Sequence, residues 1–319
     1  NVYHDKIEKV IRIKKMSERY DHKIIGKIDL HLPFNTNLRG TIKNSDLTIS
    51  KVRGTIAINT ESTDSDLNKL NGNINMTTRG GNISATKLSG EMELSVVSGD
   101  INIFDCDANS MLTMDNGNIF INGLKGNLLS NTTLGETLVS NYEGESGVFN
   151  INVGNLKINK SKSNINATID IGSVNVNNIQ GATTIFTGKG EINLNNIIGD
   201  VNCNTNFGNV NGINLFGKIN ANSELGDIEI NKGYNSFLKD HSVNIATKRG
   251  SISVRLPSDL PYAINSQCHN LETRNAISSE IPLDEEFLSA KVVGQGKIKE
   301  GTISCNLSSN YGPISIFTN

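Results

Sequence analysis

The sequence predicts an all-β, right-handed parallel β-solenoid with two strands in each coil of about 18 residues. Three observations predict this fold. Glycine recurs at a fixed spacing, apolar and polar residues alternate after each glycine, and successive corners differ in polarity. The composition agrees, because 319 residues with 30 Gly and no Trp are unusual for a globular enzyme of this length.

Glycine recurs in two interleaved series. The first series advances by 18 residues at every step except one of 19, through Gly81, Gly99, Gly117, Gly135, Gly154, Gly172, Gly190, Gly208 and Gly226. The second series lies midway, at Gly72, Gly90, Ala108, Gly126, Gly144, Ser163, Gly181, Gly199 and Gly217. The repeat is therefore nine residues long, in two alternating forms.

Each glycine is followed by an alternating segment, as in Gly99-Asp100-Ile101-Asn102-Ile103. The second and fourth residues after glycine are apolar at 30 of 36 positions. A period of two marks a strand with one buried face. We therefore expect two parallel sheets to enclose a thin core of stacked Ile, Val and Leu, with right-handed coils.

The corners decide how many strands one coil holds. Seven residues after the first series the corner is mostly apolar, as at Leu88 and Leu124. Seven residues after the second series it is mostly polar, as at Arg79 and Asp115. A pattern that repeats every 18 residues indicates two strands and two unlike corners per coil.

The lattice extends beyond its most regular part. Matching positions run from Thr63 to Gly312, which predicts about 13 coils, with Asn275 in the glycine position between Gly250 and Gly312. Three insertions interrupt it and are predicted to be loops, at 231–240, 256–262 and 282–300.

The ends of a solenoid expose unpaired strands and need caps. Residues 1–35 are predicted to form N-terminal cap strands, at Lys9–Lys14 and Lys27–Leu32, and residues 36–319 a single solenoid domain. The insertion that contains Leu283–Leu288 is expected to cap the other end with a short helical turn.

The cysteines show no metal-binding spacing. Cys106 and Cys203 fall at buried positions and are interpreted as small core residues. Cys268 and Cys305 each lie seven residues before a glycine position, at Asn275 and Gly312. If their coils stack in register, these thiols lie opposite each other and either form a disulfide or pack as free thiols.

The sequence predicts no catalytic, cofactor or metal site. The five histidines are scattered, and for each a surface or turn position is expected. Asp105 and Asp107 are the nearest candidates for a paired-carboxylate site, although a solvated turn is the favoured interpretation. A calcium-binding nonapeptide roll is disfavoured, because the residue after glycine is acidic in too few units.

One polar strip is a candidate binding surface. Its members all follow a glycine of the first series: Asn82, Asp100, Asn118, Asn155, Asn209 and Asp227. The favoured interpretation is structural, since stacked amides hydrogen-bond along a ladder. The functional alternative is a strip that binds a glycan or a partner protein.

Several segments carry a family resemblance. The Gly-Asp-Ile-x-Ile strands, Asp-Leu-His-Leu-Pro at 29–33 and Arg-Leu-Pro at 255–257 resemble a bacterial adhesin-like β-solenoid family related to head GIN-domain proteins. The resemblance covers about residues 25–319. It implies an exported protein that is periplasmic, outer-membrane-associated or at the cell surface, and it implies no catalytic residues. No signal peptide is recognised in the sequence, which begins at Asn1 without Met, and removal of a targeting segment before this numbering is compatible with the expected export.

These observations favour a non-enzymatic envelope or surface protein with an adhesin-like binding or scaffolding role. The expected partner is a surface glycan or an envelope protein. A net charge of −2 argues against nucleic acid as a partner. The sequence contains no run of 18 apolar residues and therefore predicts no transmembrane segment. The alternatives are a glycan-active enzyme of the polysaccharide lyase or hydrolase type and an envelope sensory or assembly module.

Overall fold

The computed structural model describes residues 31–269, 276–288 and 291–319, together with the backbone of residues 2–5 and 10–13. These residues form an all-β parallel solenoid of about 11 turns with coils of roughly 18 residues. The predicted fold class is confirmed. The predicted number of about 13 coils is slightly too high.

The chain divides into two compact units, Asn1–Pro33 and Phe34–Asn319. In the first unit, β1 (Val2–Asp5) pairs antiparallel with β2 (Val10–Ile13), which lies inside the predicted strand at Lys9–Lys14. Of the second predicted strand, residues 27–30 lie outside the described residues, and His31 and Leu32 are not in a strand. Asn275, which was predicted to take a glycine position of the later lattice, also lies outside the described residues. That the first unit caps the solenoid stays a prediction.

The second unit consists of two sheets that face each other. Sheet 1 follows the second glycine series, and sheet 2 follows the first. The strands that lie in sheet 1 only are β3 (Leu38–Lys43), β5 (Ile56–Glu61), β7 (Asn71–Thr78), β9 (Ser89–Ser98), β12 (Leu128–Leu134), β16 (Thr183–Lys189), β18 (Val201–Phe207), β20 (Ile219–Leu225), β22 (Val243–Arg249), β24 (Tyr262–Cys268), β26 (Leu283–Leu288), β27 (Lys291–Lys297) and β28 (Ile303–Ser309). Those that lie in sheet 2 only are β4 (Leu47–Ser50), β6 (Ser65–Asn68), β8 (Ile83–Thr86), β11 (Ile119–Lys125), β15 (Val174–Gln180), β17 (Ile192–Ile198), β19 (Val210–Leu215), β21 (Ile228–Lys232), β23 (Ile252–Leu256), β25 (Ile277–Ser279) and β29 (Ile314–Thr318).

Three long strands turn the corner from sheet 2 into sheet 1 without a break: β10 (Ile101–Asn116), β13 (Thr137–Val153) and β14 (Leu156–Ile171). Equivalent residues of successive coils are paired, as Ile101 is with Ile119. Their side chains and those of Ile103 and Ile121 are fully buried. The observed core therefore lies between the two sheets, where the alternation of apolar and polar residues predicts it.

Within the regular stretch of 18-residue coils, the coil from Gly135 to Gly154 is one residue longer. The register shifts between Glu143 and Ser146, so that Gly147 and Phe149 point inward. The regular lattice would have placed Ser146 and Val148 there. Tyr142, fully buried at the neighbouring corner, donates a hydrogen bond from its hydroxyl to the Ser146 carbonyl at 2.6 Å and fixes the widened turn.

The last coils do not stack in the order of the sequence. Strand β28 pairs in parallel with both β22 and β24, and β29 pairs with both β23 and β25. The C-terminal strands are therefore inserted between two coils that precede them in the chain. Gly312 stacks directly on Gly250, which corrects the sequential order predicted from the lattice.

The third insertion is also different from its prediction. Residues 282–300 contain the hairpin of β26 and β27 instead of a loop with a helical turn, and β27 adds antiparallel to β24. This hairpin ends sheet 1, and its outermost strand carries Asp284, Glu285 and Glu286 on exposed positions. Charges on an edge strand disfavour pairing with another chain. The first two insertions are loops, at 233–242 and 257–261.

Candidate functional site

The predicted polar strip is a hydrogen-bonded ladder. Each side-chain oxygen accepts a hydrogen bond from a backbone N–H of the next coil, as Asn82 Oδ1 does from Asp100 at 2.8 Å and Asp100 Oδ1 does from Asn118 at 2.8 Å. Asn209 and Asp227 make the same contact at 2.9 and 2.7 Å. These hydrogen bonds join a backbone N–H donor to a side-chain oxygen, whereas the sequence suggested hydrogen bonds between side-chain amides. They satisfy corner N–H groups that would otherwise lack a partner.

One oxygen of each strip side chain is therefore occupied within the protein. Asn118 Oδ1 accepts from Glu136 and Asn155 Oδ1 from Ser173, at 3.0 and 2.9 Å. The opposite corner has an equivalent ladder, in which Asn164 Oδ1 accepts from Ala182 at 2.9 Å. This placement supports the structural interpretation of the strip.

The outer face of sheet 2 carries an open groove of about 480 Å³. Two columns of outward side chains line it. One column consists of Phe120, Leu138, Lys157 and Asn175, and the other of Ser140, Asn159 and Asn177, with Asn178 at the corner. The groove thus spans four successive coils and combines an apolar end with a polar end. Sequence reasoning missed it, although Phe120, Leu138 and Lys157 interrupt a column otherwise rich in asparagine.

A second surface feature is an apolar ridge along one corner of the solenoid. Successive coils place these residues in register, and each is between 37% and 52% exposed: Leu134, Val153, Ile171, Phe207 and Leu225. Lys189 interrupts the row between Ile171 and Phe207. The sequence had indicated a mostly polar corner here. Exposed apolar rows of this kind are typical of contacts with other macromolecules.

A buried polar cluster lies beneath the loop 233–242. The Lys232 side chain is fully buried, and its Nζ donates hydrogen bonds to the carbonyl oxygens of Leu215, at 3.3 Å, and of Gly217. Burial lowers the pKa of Lys232 to about 8, although Asp240 and Asp200 act in the opposite direction. A fully buried amine cannot reach a ligand, so this lysine holds the corner at which the loop leaves the coil.

His241 belongs to the same cluster. It lies in the loop, which fits the expected turn position, but it is buried and not at the surface. Its side chain is buried, with Nδ1 3.1 Å from the Phe216 carbonyl oxygen, and its own carbonyl accepts a hydrogen bond from the Tyr262 hydroxyl at 3.0 Å. Burial, followed by the nearby Lys232 charge, lowers the pKa of His241. Both contacts tie the loop to the neighbouring coils.

The carboxylates proposed from the sequence are not brought into such a cluster. Asp105 sits at the corner with a φ of 50°, and both Asp105 and Asp107 are exposed on either side of the buried Cys106. Within residues 31–269, 276–288 and 291–319, no three His, Cys, Asp or Glu side chains are placed to hold a metal ion together.

The cysteines are all buried and all free. Cys106 and Cys203 lie in the core, as predicted, and burial raises the pKa of Cys203 to about 12. The disulfide hypothesis assumed that Cys268 and Cys305 are opposite each other. Instead, β24 and β28 pair Cys268 with Ser309 and Ile264 with Cys305, a four-residue offset of about 13 Å along the strands. That distance is too great for a disulfide.

We therefore expect four free thiols in the unfolded, unreduced protein. The folded protein should react only slowly with a thiol reagent, because burial holds the pKa of Cys203 and Cys305 at about 12 and little thiolate forms. Titration with a chromogenic thiol reagent, with and without denaturant, checks both statements. Two thiols after unfolding would contradict the register of β24 and β28.

Across the part of the chain that the structure describes, no helix is long and apolar enough to cross a membrane. Comparisons with models of known protein families, with curated proteins and with solved structures found no match to this chain.

Proposed function

We propose that this protein is a non-enzymatic β-solenoid protein of the cell envelope or cell surface with an adhesin-like binding role. The observation that carries the proposal is the groove on sheet 2. Binding sites are concave, largely preformed and lined by apolar groups together with a few polar groups that fix orientation. Here paired strands hold both kinds of group in register on one sheet face.

The location and the partner belong to the same proposal. A surface glycan or an envelope protein is the expected partner, and the sequence resemblance to adhesin-like β-solenoids of exported bacterial proteins supports an envelope location. The apolar ridge favours the scaffolding form of the proposal, in which the solenoid contacts another protein along its corner.

Screening the purified chain on a glycan array, with and without calcium, tests the binding role. We expect selective binding that does not depend on calcium, because no described cluster of acidic side chains is placed to hold a metal ion. Bound glycans should then be incubated with the protein and examined for shortened products. Intact glycans would support a binding protein, whereas cleavage would support the glycan-active alternative. An absence of binding to every glycan, together with a pull-down that captures no envelope protein, would contradict the adhesin-like role.

A further inference from the structure

The groove on sheet 2 has a chemistry that indicates one class of ligand, and this inference rests on the proposed binding function. The paired strands β11, β13, β14 and β15 place Phe120, Leu138, Lys157 and Asn175 in one column. Strands of a sheet lie about 4.8 Å apart, so the four rows extend for about 14 Å. The site is therefore elongated along the solenoid axis and fits a chain-like ligand better than a compact one.

The polar groups of the groove differ in their freedom to bind. The Asn178 amide donates to Asn159 Oδ1 at 3.2 Å, and Asn196 donates to Asn178 Oδ1 at 2.7 Å, so this ladder satisfies itself. Within the described part of the chain, the side chains of Lys157, Asn175 and Asn177 have no hydrogen bond or ion pair with protein. Their donors and acceptors are available to a ligand.

The available groups match a sugar. Each free asparagine offers both a carbonyl acceptor and an NH₂ donor, a combination that fits hydroxyl groups, which also donate and accept. Phe120 and Leu138 are half-buried and offer apolar surface at one end, suited to the C–H face of a sugar ring. Apolar surface at one end of the groove and amides at the other therefore match the C–H faces and the hydroxyl groups of successive sugars in an oligosaccharide.

The charge of the groove narrows the class of ligand further. Lys157 is exposed and is the one charged residue among the groove's lining residues, which include no carboxylate. A single cation suits a ligand with isolated negative charges, such as the carboxylate of a uronic acid. Nucleic acid would require several cations in a row to neutralise its phosphates. A peptide that adds to a sheet needs a free strand edge, and the groove lies on a sheet face where every row is paired.

We propose that the groove between Phe120 and Asn177 binds an acidic polysaccharide in which uronic acids alternate with neutral sugars, with Lys157 paired to a sugar carboxylate and Asn175 and Asn177 bonded to hydroxyls. The ligand lies along the solenoid axis across four coils. Recognition is additive along the groove: the apolar end contributes to any glycan, and Lys157 contributes only to an acidic one.

Titration calorimetry with a polysaccharide of alternating uronic acid and neutral sugar residues, and with its fully methyl-esterified form, tests the assignment. Esterification removes the charge and keeps the sugar backbone, so the acid should bind about twofold to fivefold more tightly than the ester. The substitution Lys157→Gln should remove that difference, and Phe120→Ser should weaken binding of both forms. Lys162→Gln is the matched control, because Lys162 is an exposed lysine on the same strand outside the groove and should leave both affinities unchanged.

The outcomes separate this assignment from the proposed function. If the protein binds glycans but Lys157→Gln and Phe120→Ser bind like the wild type, the site lies elsewhere and the assignment is overturned while the binding role stands. If neutral esters bind as tightly as the acids, the acidic class is overturned. If no glycan binds on the array, the assignment is overturned, and the adhesin-like role fails as well if a pull-down captures no envelope protein. Thermal unfolding of each variant shows that loss of binding is not loss of fold.

Discussion

Replacing Gly172 with alanine is expected to lower the free energy of unfolding of the surrounding coils by at least about 3 kcal/mol. Gly172 has a φ of +150°, a conformation that residues with a side chain rarely adopt. A Cβ atom built there would overlap the Gly154 carbonyl oxygen and lie 2.6 Å from the Gly154 carbonyl carbon. The obstacle is backbone of the preceding coil, so relief would require the coils to separate.

Gly40 supplies the matched control for this substitution. It lies in β3, its φ is not in the left-handed region, and an added Cβ would meet nothing within 4 Å. Gly40→Ala should therefore change the free energy of unfolding by less than about 1 kcal/mol. Repeat proteins can unfold in stages, so hydrogen exchange of individual amides is the appropriate measurement. Equal protection of β13–β15 in the two variants would contradict the account of close coil packing.

The glycine series made most of the fold predictable from the sequence. Close approach of coils at Gly172 and its equivalents requires glycine every 18 residues, and the alternation after each glycine assigns inward and outward side chains directly. The lattice specifies local structure only, however. Gly250 and Gly312 begin nearly identical strands, so nothing local shows that the C-terminal coil inserts ahead of β24 and β25.

The candidate site was harder to predict, because residues that recur in every coil indicate positions that the fold needs and not positions that bind a ligand. Asn82 and Asp100 recur at equivalent positions because each caps a backbone N–H of the next coil, a need that every coil shares. A binding site arises where the outward column changes, as at Phe120 and Lys157, and such a break has no periodic signal. Two or three irregular outward residues become meaningful only once register places them side by side.

The second large effect concerns the pH dependence contributed by Lys232. Its pKa is about 8 in the folded protein, lowered mainly by burial, against about 10.4 in an unfolded chain. Below pH 8 both states hold the proton. Between about pH 8 and 10.4 the unfolded state binds more protons than the folded state, so this group makes stability rise with pH. The contribution over that window is expected to be about 3 kcal/mol.

Buried thiols act in the opposite direction over the same range. The pKa values of Cys203 and Cys305 are raised to about 12 by burial, against about 8.5 when unfolded, so the folded state binds more protons above pH 8.5 and stability falls. The total pH profile therefore does not isolate the lysine. The informative quantity is the difference in free energy of unfolding between the wild type and Lys232→Met at each pH.

That difference should increase in favour of the wild type by about 3 kcal/mol between pH 7.5 and 10.5. The charged groups near Lys232 are Asp200 and Asp240, which raise its pKa, while His241 and Tyr262 complete the cluster. Lys248→Met is the control, because Lys248 is exposed and pairs with Glu224 at 2.6 Å, and its difference should stay flat. Chemical denaturation in a reducing buffer supplies both curves. A flat curve for Lys232→Met would mean that the two aspartates keep the buried amine charged, and the lysine would then act as a buried ion and not as a neutral donor to the Leu215 and Gly217 carbonyls.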